Sequence, residues 1–307
     1  MRKILPAPRL ISVKRMLFVM NPQSGMRKGP RYLSRILSIF NEAGYVVTVH
    51  ITSHPGDCTR VVEELAHEMD VVACCGGDGT FNETINGLIR SGVDIPVGYI
   101  PAGSTNDLAS TLGLSFNILQ AARDIVQGKP YAYDVGTFGD RCFCYIASFG
   151  IFTQTSYATP QNLKNALGHG AYVLSGIQEL SQLRTFRMHL KMDNRIIEDE
   201  FLFGSISNTT TVGGVLNLDP RRVDLSDGKF ELLLIKAPRD LVELSDCIRA
   251  LQQQQYDSPL ITFCSTDHVR IIGQPGMSWT LDGEKADSAP VIEVRNLHNA
   301  IRLLQKG

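Results

Sequence analysis

The sequence predicts an α/β first domain built on a parallel sheet, followed by a mostly-β second domain. In the first domain, strand-like apolar runs alternate with helical patterns such as 32–40; the runs are 17–20, 46–51, 71–75 and 96–100. This alternation is typical of parallel strands joined by crossover helices. After residue 134 the apolar runs are mostly strand-like; they are 143–148, 186–192, 200–207, 230–235, 268–272 and 291–294. We therefore expect two domains of different architecture.

Two helical stripes interrupt the second domain. The first consists of Leu163, Leu167, Val173, Leu174, Ile177 and Leu180. The second consists of Leu241, Leu244, Ile248 and Leu251. Amphipathic helices normally bury their apolar side, so we interpret both stripes as packed core rather than as membrane or cofactor surfaces.

The most informative motif follows the run 71–75. That run passes into Gly76-Gly77-Asp78-Gly79-Thr80-Phe81-Asn82-Glu83, and a helix is predicted to start near Thr80. Glycines let backbone N–H groups approach a ligand, and a helix N-terminus favours phosphate. Asp78 would repel that phosphate unless a cation lies between them or the carboxylate accepts a proton or hydrogen bond from a hydroxyl. A nucleotide, Mg²⁺ and an acceptor hydroxyl meet these conditions, although an ordinary turn remains the alternative for one motif alone.

Two further turns repeat this design. The run 96–100 leads into Pro101-Ala102-Gly103-Ser104-Thr105-Asn106-Asp107, and the first strand leads into Asn21-Pro22-Gln23-Ser24-Gly25. In open α/β sheets, ligands bind in the crevice at the carboxyl ends of the strands. We therefore expect the three turns to line one crevice.

Composition agrees with a cytoplasmic enzyme. The 307 residues include 30 basic and 31 acidic side chains, for a formal charge of -1, so no strong attraction to nucleic acid is expected. The seven cysteines show neither disulfide nor zinc-site spacing, and we expect reduced thiols. No apolar run approaches the roughly twenty residues that span a bilayer, and the first residues lack a signal-peptide core.

The three turns together resemble the diacylglycerol kinase catalytic-domain family, which includes soluble bacterial lipid kinases and sphingosine kinases. Further landmarks match in the family's order; they are Asp134-Val135-Gly136, Val212-Gly213-Gly214, Asp227-Gly228 and Asp282-Gly283-Glu284. The resemblance implies a three-layer nucleotide-binding domain over 1–133, to which about 295–307 return, and a β-sandwich lipid-substrate domain over 134–294, with the active site between them. Dinucleotide kinases and phosphofructokinases share the Gly-Gly-Asp-Gly turn, but Asn106-Asp107 is similar to the lipid-kinase branch.

The resemblance also implies a nucleotide site. The matching positions are Asn21, Pro22, Gln23, Ser24, Gly25, Thr52, Gly76, Gly77, Asp78, Gly79, Thr80, Asn82, Glu83, Gly103, Ser104 and Thr105. These turns would hold the triphosphate of ATP. The sequence has no Walker-type lysine in this position, so Mg²⁺ and backbone dipoles would neutralise the phosphate charge.

For catalysis, the resemblance implies that Glu284 takes the proton from a lipid hydroxyl as it attacks the γ-phosphoryl group. Asp78 is the rival base, because sphingosine kinases assign this role to the equivalent position. Asp78, Asp107 and Asp134 are candidates to hold water-bridged Mg²⁺ or to stabilise the reacting centre. Each acid, taken alone, is also compatible with a helix cap or a turn.

A second Mg²⁺ site is implied by similarity to soluble bacterial diacylglycerol kinases. Asp224, Asp227 and the backbone carbonyl of Lys229 match its ligands. The preceding 218–222 depart from the usual spacing by about one residue, and an Asp-Gly turn without metal is the alternative.

The expected activity is ATP-dependent phosphorylation of a lipid hydroxyl, with diacylglycerol as acceptor and phosphatidic acid as product. Alternatives on the same scaffold are a sphingoid-base, ceramide or undecaprenol kinase, a dinucleotide kinase, and a non-catalytic nucleotide or lipid sensor. The substrate implies peripheral contact with a membrane, for which Lys14, Arg15, Arg27, Lys28 and Arg31 are a candidate basic cluster. A homodimer is the default expectation from base rates.

Overall fold

The first part of the chain forms a parallel sheet with helices on both faces, which confirms the predicted α/β class. The computed structural model describes residues 14–306 except 26, 28, 105, 152–183, 193–194, 213–215, 275 and 288. The elements in order are β1 Lys14–Met20, α1 Gly29–Glu42, β2 Tyr45–Ile51, α2 Asp57–Leu65, β3 Val71–Gly76, α3 Asp78–Ser91, β4 Val97–Pro101, α4 Asp107–Thr111 and α5 Ile118–Gln127. The parallel strands lie in the order β2-β1-β3-β4.

Strand β3 lies in the middle of this sheet and is buried on both faces. Val72 and Cys74 pack with residues of α2 and α3 in one core. Ala73 and Cys75 pack with residues of α1 and α5 in the other. Parallel strands covered by helices on both sides need apolar side chains in both directions, which explains the continuous apolar run of β3.

The second part of the chain is rich in strands, again as predicted. Its strands are β5 Lys129–Phe138, β6 Arg141–Phe143, β7 Ile146–Gly150, β8 Phe186–Met192, β9 Arg195–Ser207, β10 Thr211–Val212, β11 Leu216–Asn217, β12 Phe230–Lys236, β13 Ile261–Thr266, β14 His268–Ile272, β15 Ser278–Leu281, β16 Glu284–Asp287 and β17 Val291–Gln305. One helix, α6 Leu241–Gln252, lies between β12 and β13 and matches the second helical stripe. The first stripe, within 163–180, lies outside the described residues.

The core of the second part is a β-sandwich. Its buried side chains come from β5 to β9, β12 and β14 to β17. Strand β9 joins two groups of strands, because its first half pairs with β8 and its second half pairs with β7 and β12. Trp279 is fully buried there, with its ring centroid 4.9 Å from that of Phe149 and 5.0 Å from that of Phe138. These aromatic contacts fix the strand β15, which leads to the hairpin that carries Glu284.

Strand β17 connects the two parts. It pairs antiparallel with β14 and β5, and Leu303 near its end pairs parallel with Val97 of β4. The predicted boundary at residue 134 falls inside β5, so a continuous strand crosses it. The long strands β5 and β17 thus hold the parallel sheet beside the sandwich.

Two predicted elements differ in detail from the structure. Helix α3 begins at Asp78 rather than near Thr80, which places Asp78 in its first turn. The predicted strand 143–148 is divided into β6 and β7, because backbone N–H groups of the intervening residues, including Cys144 and Tyr145, bond to the carboxylate of Asp282 instead of to a neighbouring strand.

All seven cysteines are free thiols, and six of them are buried. Among the described residues, no helix is both long enough and apolar enough to cross a membrane.

Candidate active site

Three glycine-containing turns meet at the carboxyl ends of β1, β3 and β4. The turn after β1 is tied to the neighbouring turn, because Asn21 Nδ2 donates to Thr80 Oγ1 at 3.2 Å and the backbone N–H of Asn21 donates to Cys75 O at 3.0 Å. Gly25 has a φ of +53°, and a Cβ there would lie 2.4 Å from Ala102 O. Only glycine therefore permits this approach of the first and third turns.

The second and third turns also pack backbone against backbone. A Cβ on Gly103 would lie 2.6 Å from the Cα of Gly77. Gly77 is the N-cap of the 14-residue helix α3 and contributes no side-chain cap. The first-turn amides of α3 are consequently available to an anionic ligand, which the helix dipole favours.

These turns line a cleft of about 470 Å³. The lining residues come from the three turns, from the segment after β2, and from Glu83 and Glu284; they are Asn21, Gln23, Ser24, Gly25, Thr52, Ser53, His54, Pro55, Cys58, Gly77, Gly79, Thr80, Glu83, Gly103 and Glu284. The structure thus brings together most of the positions that the sequence predicted for nucleotide binding and the predicted base.

Asp78 lies between the second and third turns. Its Oδ2 accepts the backbone N–H of Asp107 at 2.9 Å, and Tyr99 donates its hydroxyl to Oδ1 at 3.4 Å. Burial, together with the nearby carboxyl groups of Asp107 and Asp282, raises the pKa of Asp78 to about 6. The arrangement gives a carboxyl group that changes protonation close to neutral pH.

Glu284 reaches the same place from the other domain. A Cβ on Gly79 would lie 2.8 Å from Glu284 Oε1, so the carboxylate rests against the first turn of α3. Arg141 lies 3.5 Å from Glu284 Oε2 and opposes the effect of burial, which raises the pKa of Glu284. The side chain is half-exposed, so it is open to a substrate.

The hairpin that carries Glu284 is fixed by Asp282. Asp282 and Gly283 have φ of +48° and +86°, as in a two-residue turn between β15 and β16. The buried Asp282 carboxylate accepts four N–H groups, from Cys144 at 2.6 Å, Asn82 Nδ2 at 2.7 Å, and Tyr145 and Ile146 at 3.0 Å each. Asn82 lies on α3, so this carboxylate joins the nucleotide side to the hairpin.

Comparison with known proteins agrees with this geometry. Residues 15–138 match the model of the diacylglycerol kinase catalytic domain, and residues 147–305 match the YegS C-terminal NAD kinase beta sandwich-like domain. A diacylglycerol kinase of Bacillus subtilis (strain 168) is 32% identical over 95% of this chain and 96% of its own length. The chain belongs to the diacylglycerol kinase catalytic domain family.

Other diacylglycerol kinases are similar to this chain over most of their length. A Staphylococcus epidermidis diacylglycerol kinase is 30% identical over 90% of this chain and 88% of its own. A crystal structure of a diacylglycerol kinase from Bacillus anthracis str. Sterne aligns with a TM-score of 0.73 at 21% identity, covering 95% of this chain and 97% of that chain. A second solved structure from that organism gives a TM-score of 0.78 at 23% identity and covers 95% of both chains. These structures support the fold, and the family supports a lipid kinase.

In this diacylglycerol kinase family member, two residues predicted to bind nucleotide contact other parts of the protein. Glu83 Oε1 accepts the backbone N–H of Gly56 at 2.8 Å, and Oε2 accepts that of Cys58 at 3.2 Å. Asn82 donates to Asp282 and, at 3.1 Å, to Cys142 O. Both side chains therefore support the walls of the cleft, and direct contact with nucleotide stays a prediction.

Several other predicted site residues do not line the cleft. Asp107 begins α4 beside Asp78, and burial raises the pKa of its carboxyl group. Pro22, Gly76 and Ser104 belong to the turns but are not among the residues that line the cleft. Thr105 lies outside the described residues.

Asp134 lies at the junction of the two domains. Its buried carboxylate accepts the backbone N–H of Gly228 and of Asn299, both at 2.7 Å, and also contacts His298 Nδ1 at 3.1 Å and Asn296 Nδ2 at 3.3 Å. These contacts tie β5 to β17 and to the loop before β12. A contribution of Asp134 to catalysis, which stays a prediction, would therefore be indirect, through the position of these segments.

The predicted second metal site forms the loop before β12. Asp224 Oδ1 accepts the backbone N–H of Ser226 at 3.0 Å, and Asp227 Oδ1 accepts that of Lys229 at 2.9 Å. Lys229 O accepts Asn296 Nδ2 at 3.0 Å, which orients the carbonyl. Within the described ranges, no group of three or more His, Cys, Asp or Glu side chains is placed to hold a metal, so a cation here needs carbonyl or water oxygens as well.

Part of the cleft lies outside the positions that the sequence predicted. Ser53, His54 and Pro55 line it, and Arg141 contacts Glu284. The position of 53–55 directly after the edge strand β2 was a usable signal, because ligands bind at strand ends. Arg141 has no local signal, since its contact depends on how β6 lies against the hairpin.

Proposed function

We propose that this protein is an ATP-dependent, Mg²⁺-requiring lipid kinase that transfers the γ-phosphoryl group to the primary hydroxyl of diacylglycerol and gives phosphatidic acid. The position of Glu284 against Gly79 carries the proposal, because it brings a carboxylate from the sandwich to the N-terminus of the helix α3. Membership of the diacylglycerol kinase family and the names of the Bacillus subtilis and Staphylococcus epidermidis relatives support the same reaction.

The triphosphate would lie on the three turns. Backbone amides of the first turn of α3 and of Gly25, and the hydroxyls of Ser24 and Thr80, are suited to phosphate oxygens. The backbone N–H of Gly103 donates to Asn106 Oδ1 at 2.9 Å instead. Thr52 lines the same cleft directly after β2. This arrangement holds a nucleotide by positioning and electrostatic stabilisation, which supply most of the catalysis in phosphoryl transfer.

The acids near the cleft fit Mg²⁺. Burial raises the pKa of Asp78, and the neighbouring carboxyl groups of Asp107 and Asp282 add to this shift. These carboxyl groups repel one another and would repel a triphosphate as well. Asp78 and Asp107 supply the hard oxygen donors that Mg²⁺ prefers, with phosphate and water oxygens completing the set. When bound, the ion would neutralise charge on the phosphates. Asp224, Asp227 and the Lys229 carbonyl would hold a second, structural Mg²⁺.

Glu284 would act as the general base. It accepts the proton of the acceptor hydroxyl while the new O–P bond forms, and ADP leaves as the bond between the γ-phosphorus and the bridging oxygen breaks. Burial raises the pKa of Glu284, which makes it a stronger base, and Arg141 opposes this shift. Asp78 is the rival for this role. Asp134 would position the domain junction through Gly228, His298 and Asn299.

The acceptor would come from a membrane surface, so peripheral membrane contact is part of the proposal. Lys14, Arg15, Arg27 and Arg31 are exposed. Lys14 and Arg15 begin β1 and therefore lie at the end of the sheet opposite the three turns, and Arg15 lies 3.7 Å from Glu68, so the predicted basic cluster at the nucleotide end is reduced to Arg27 and Arg31. Lys28 lies outside the described residues. Cationic side chains near an anionic surface each contribute about 1 kcal/mol of attraction. The cytoplasmic location and the homodimer stay predictions.

The proposal is tested by transfer of labelled γ-phosphate from ATP, with and without Mg²⁺. Diacylglycerol, ceramide, sphingosine and undecaprenol are offered in mixed micelles, with NAD as a soluble control. Mg²⁺-dependent label in phosphatidic acid is the expected result. Label on another lipid would change the acceptor, label on NAD would indicate a dinucleotide kinase, and nucleotide binding without transfer would indicate a sensor.

A further inference from the structure

The segment 52–58 forms a wall of the cleft that the three phosphate turns do not account for. We call it the wall segment. The turns after β1, β3 and β4 supply one set of lining residues, and the wall segment supplies another; these are Thr52, Ser53, His54, Pro55 and Cys58. If the turns hold the triphosphate, as the proposed function requires, this second set remains for the nucleoside. The side chains of Ser53, His54 and Pro55 are exposed there, and the Ser53 hydroxyl, which donates to Asp57, keeps its oxygen as an acceptor.

One buried carboxylate holds the wall segment in place. Asp57 is 3% exposed, and its Oδ2 accepts both the backbone N–H of Ser53 at 2.9 Å and the Ser53 hydroxyl at 3.1 Å. The same oxygen lies 3.0 Å from His50 Nε2, and Oδ1 accepts from Arg60 Nη2 at 2.8 Å. His50 and the Ser53 amide, with Arg60, hold the pKa of Asp57 well below its usual range.

The wall segment is fixed at two more points. Thr52 donates its backbone N–H to Met20 O at 2.9 Å, which joins the start of the segment to β1. Glu83 accepts the N–H groups of Gly56 and Cys58, which joins its end to α3. The central part, with Ser53 and His54, depends on Asp57 and on the hydrogen bond from Asp57 N–H to His54 O at 3.2 Å.

We propose that Asp57 is a positioning residue for nucleotide recognition, which holds the wall segment 52–58 against the nucleoside part of ATP. This inference rests on the proposed function. Asp57 does not line the cleft itself, so it acts through Ser53 and His54. It stabilises ground state and transition state alike, and its loss raises the KM for ATP without a matching fall in kcat.

The test compares Asp57→Asn with Glu64→Gln. Glu64 is a matched control, because its exposed carboxylate pairs with the same Arg60 at 2.8 Å but does not contact the wall segment. We expect Asp57→Asn to weaken ATP binding about tenfold or more, equivalent to at least about 1.4 kcal/mol. The preference for ATP over GTP falls with it, while kcat at saturating ATP stays near that of the wild type. Glu64→Gln leaves all of these unchanged.

Ser53→Ala is the second variant, in case Asp57→Asn fails to fold. It removes only the hydroxyl contact at 3.1 Å and is expected to weaken ATP binding less than Asp57→Asn. Binding is measured by titration calorimetry and kinetics by phosphate transfer, with thermal unfolding as the check on folding. Unchanged ATP affinity and base preference in folded variants, or a loss of kcat at constant KM, would overturn the inference. The two proposals can also fail separately. If the wild type binds ATP but transfers phosphate to no lipid, and Asp57→Asn binds ATP more weakly, the result would contradict the proposed function and support the role of Asp57 in nucleotide binding.

Discussion

Replacement of Glu284 by Gln separates the proposed chemistry from binding. The change is nearly isosteric, so the contact with Gly79 persists while the carboxylate that accepts the proton is lost. A positioned general base contributes about 10²–10⁴-fold. We therefore expect kcat to fall about 100- to 10,000-fold, or about 3–5 kcal/mol in the barrier.

Other properties of Glu284→Gln should change little. The pair with Arg141 spans 3.5 Å between half-exposed side chains. Such pairs contribute about 0–1 kcal/mol, so thermal unfolding should shift only slightly. ATP affinity should match that of the wild type, because the turns and the wall segment are untouched. Asp287→Asn changes an exposed carboxyl group at the end of the same hairpin strand and serves as the control.

The assay is phosphate transfer to diacylglycerol over a range of pH, with ATP binding measured in parallel. A base works only when deprotonated, so the wild-type rate falls as pH drops through the raised pKa of Glu284. The residual rate of Glu284→Gln should not follow that titration. Turnover of the variant close to that of the wild type, or a loss explained by weaker ATP binding, would refute the role of Glu284 and favour Asp78.

Three further variants test the cleft. The pKa of Asp78 is raised from 3.8 to about 6 in the folded protein, so folding takes up a proton between these pH values, and the stability of the protein falls as pH rises through them. Asp78→Asn removes this cost, so the variant should be more stable than the wild type at pH 8 by about 1–3 kcal/mol in urea unfolding. It should nevertheless be inactive. Gly25→Ala should weaken ATP binding because its Cβ meets Ala102 O, whereas Gly113→Ala, at a similar φ of +63° with no neighbour within 4 Å, should bind ATP normally in calorimetry. Asp282→Asn should lower the free energy of unfolding by about 2–4 kcal/mol in the same urea assay, because four N–H donors lose a charged acceptor, and unchanged stability would contradict its role in fixing the hairpin.

Local patterns predicted some elements well and others poorly. The strands β2, β3 and β4 lie within one residue of their predicted bounds, because each is a short apolar run next to a turn signal, whereas β1 begins three residues before its predicted start, at the exposed Lys14 and Arg15. Strand β5 was missed, since its first residues, such as Lys129 and Tyr131, are exposed and its pairing partner is the distant β17. The break between β6 and β7 was missed for a related reason, because the Asp282 carboxylate replaces a strand partner there.

The candidate site likewise combines features set by local sequence with features set by contacts between distant residues. By itself the sequence determined the three glycine turns and the existence of the helix α3, although α3 begins at Asp78, two residues before its predicted start, because turn geometry and helix formation depend on neighbouring residues. Taken alone, Asp282-Gly283-Glu284 is typical of a hairpin turn with a solvated acid, and only the resemblance of the whole sequence to the family placed Glu284 in the cleft. Only the tertiary structure decided that Glu284 lies against Gly79 and that Asp57 holds the wall segment. Those contacts join residues distant in sequence or on different elements, and they exist because β17 and the Asp282 carboxylate hold the sandwich beside the parallel sheet.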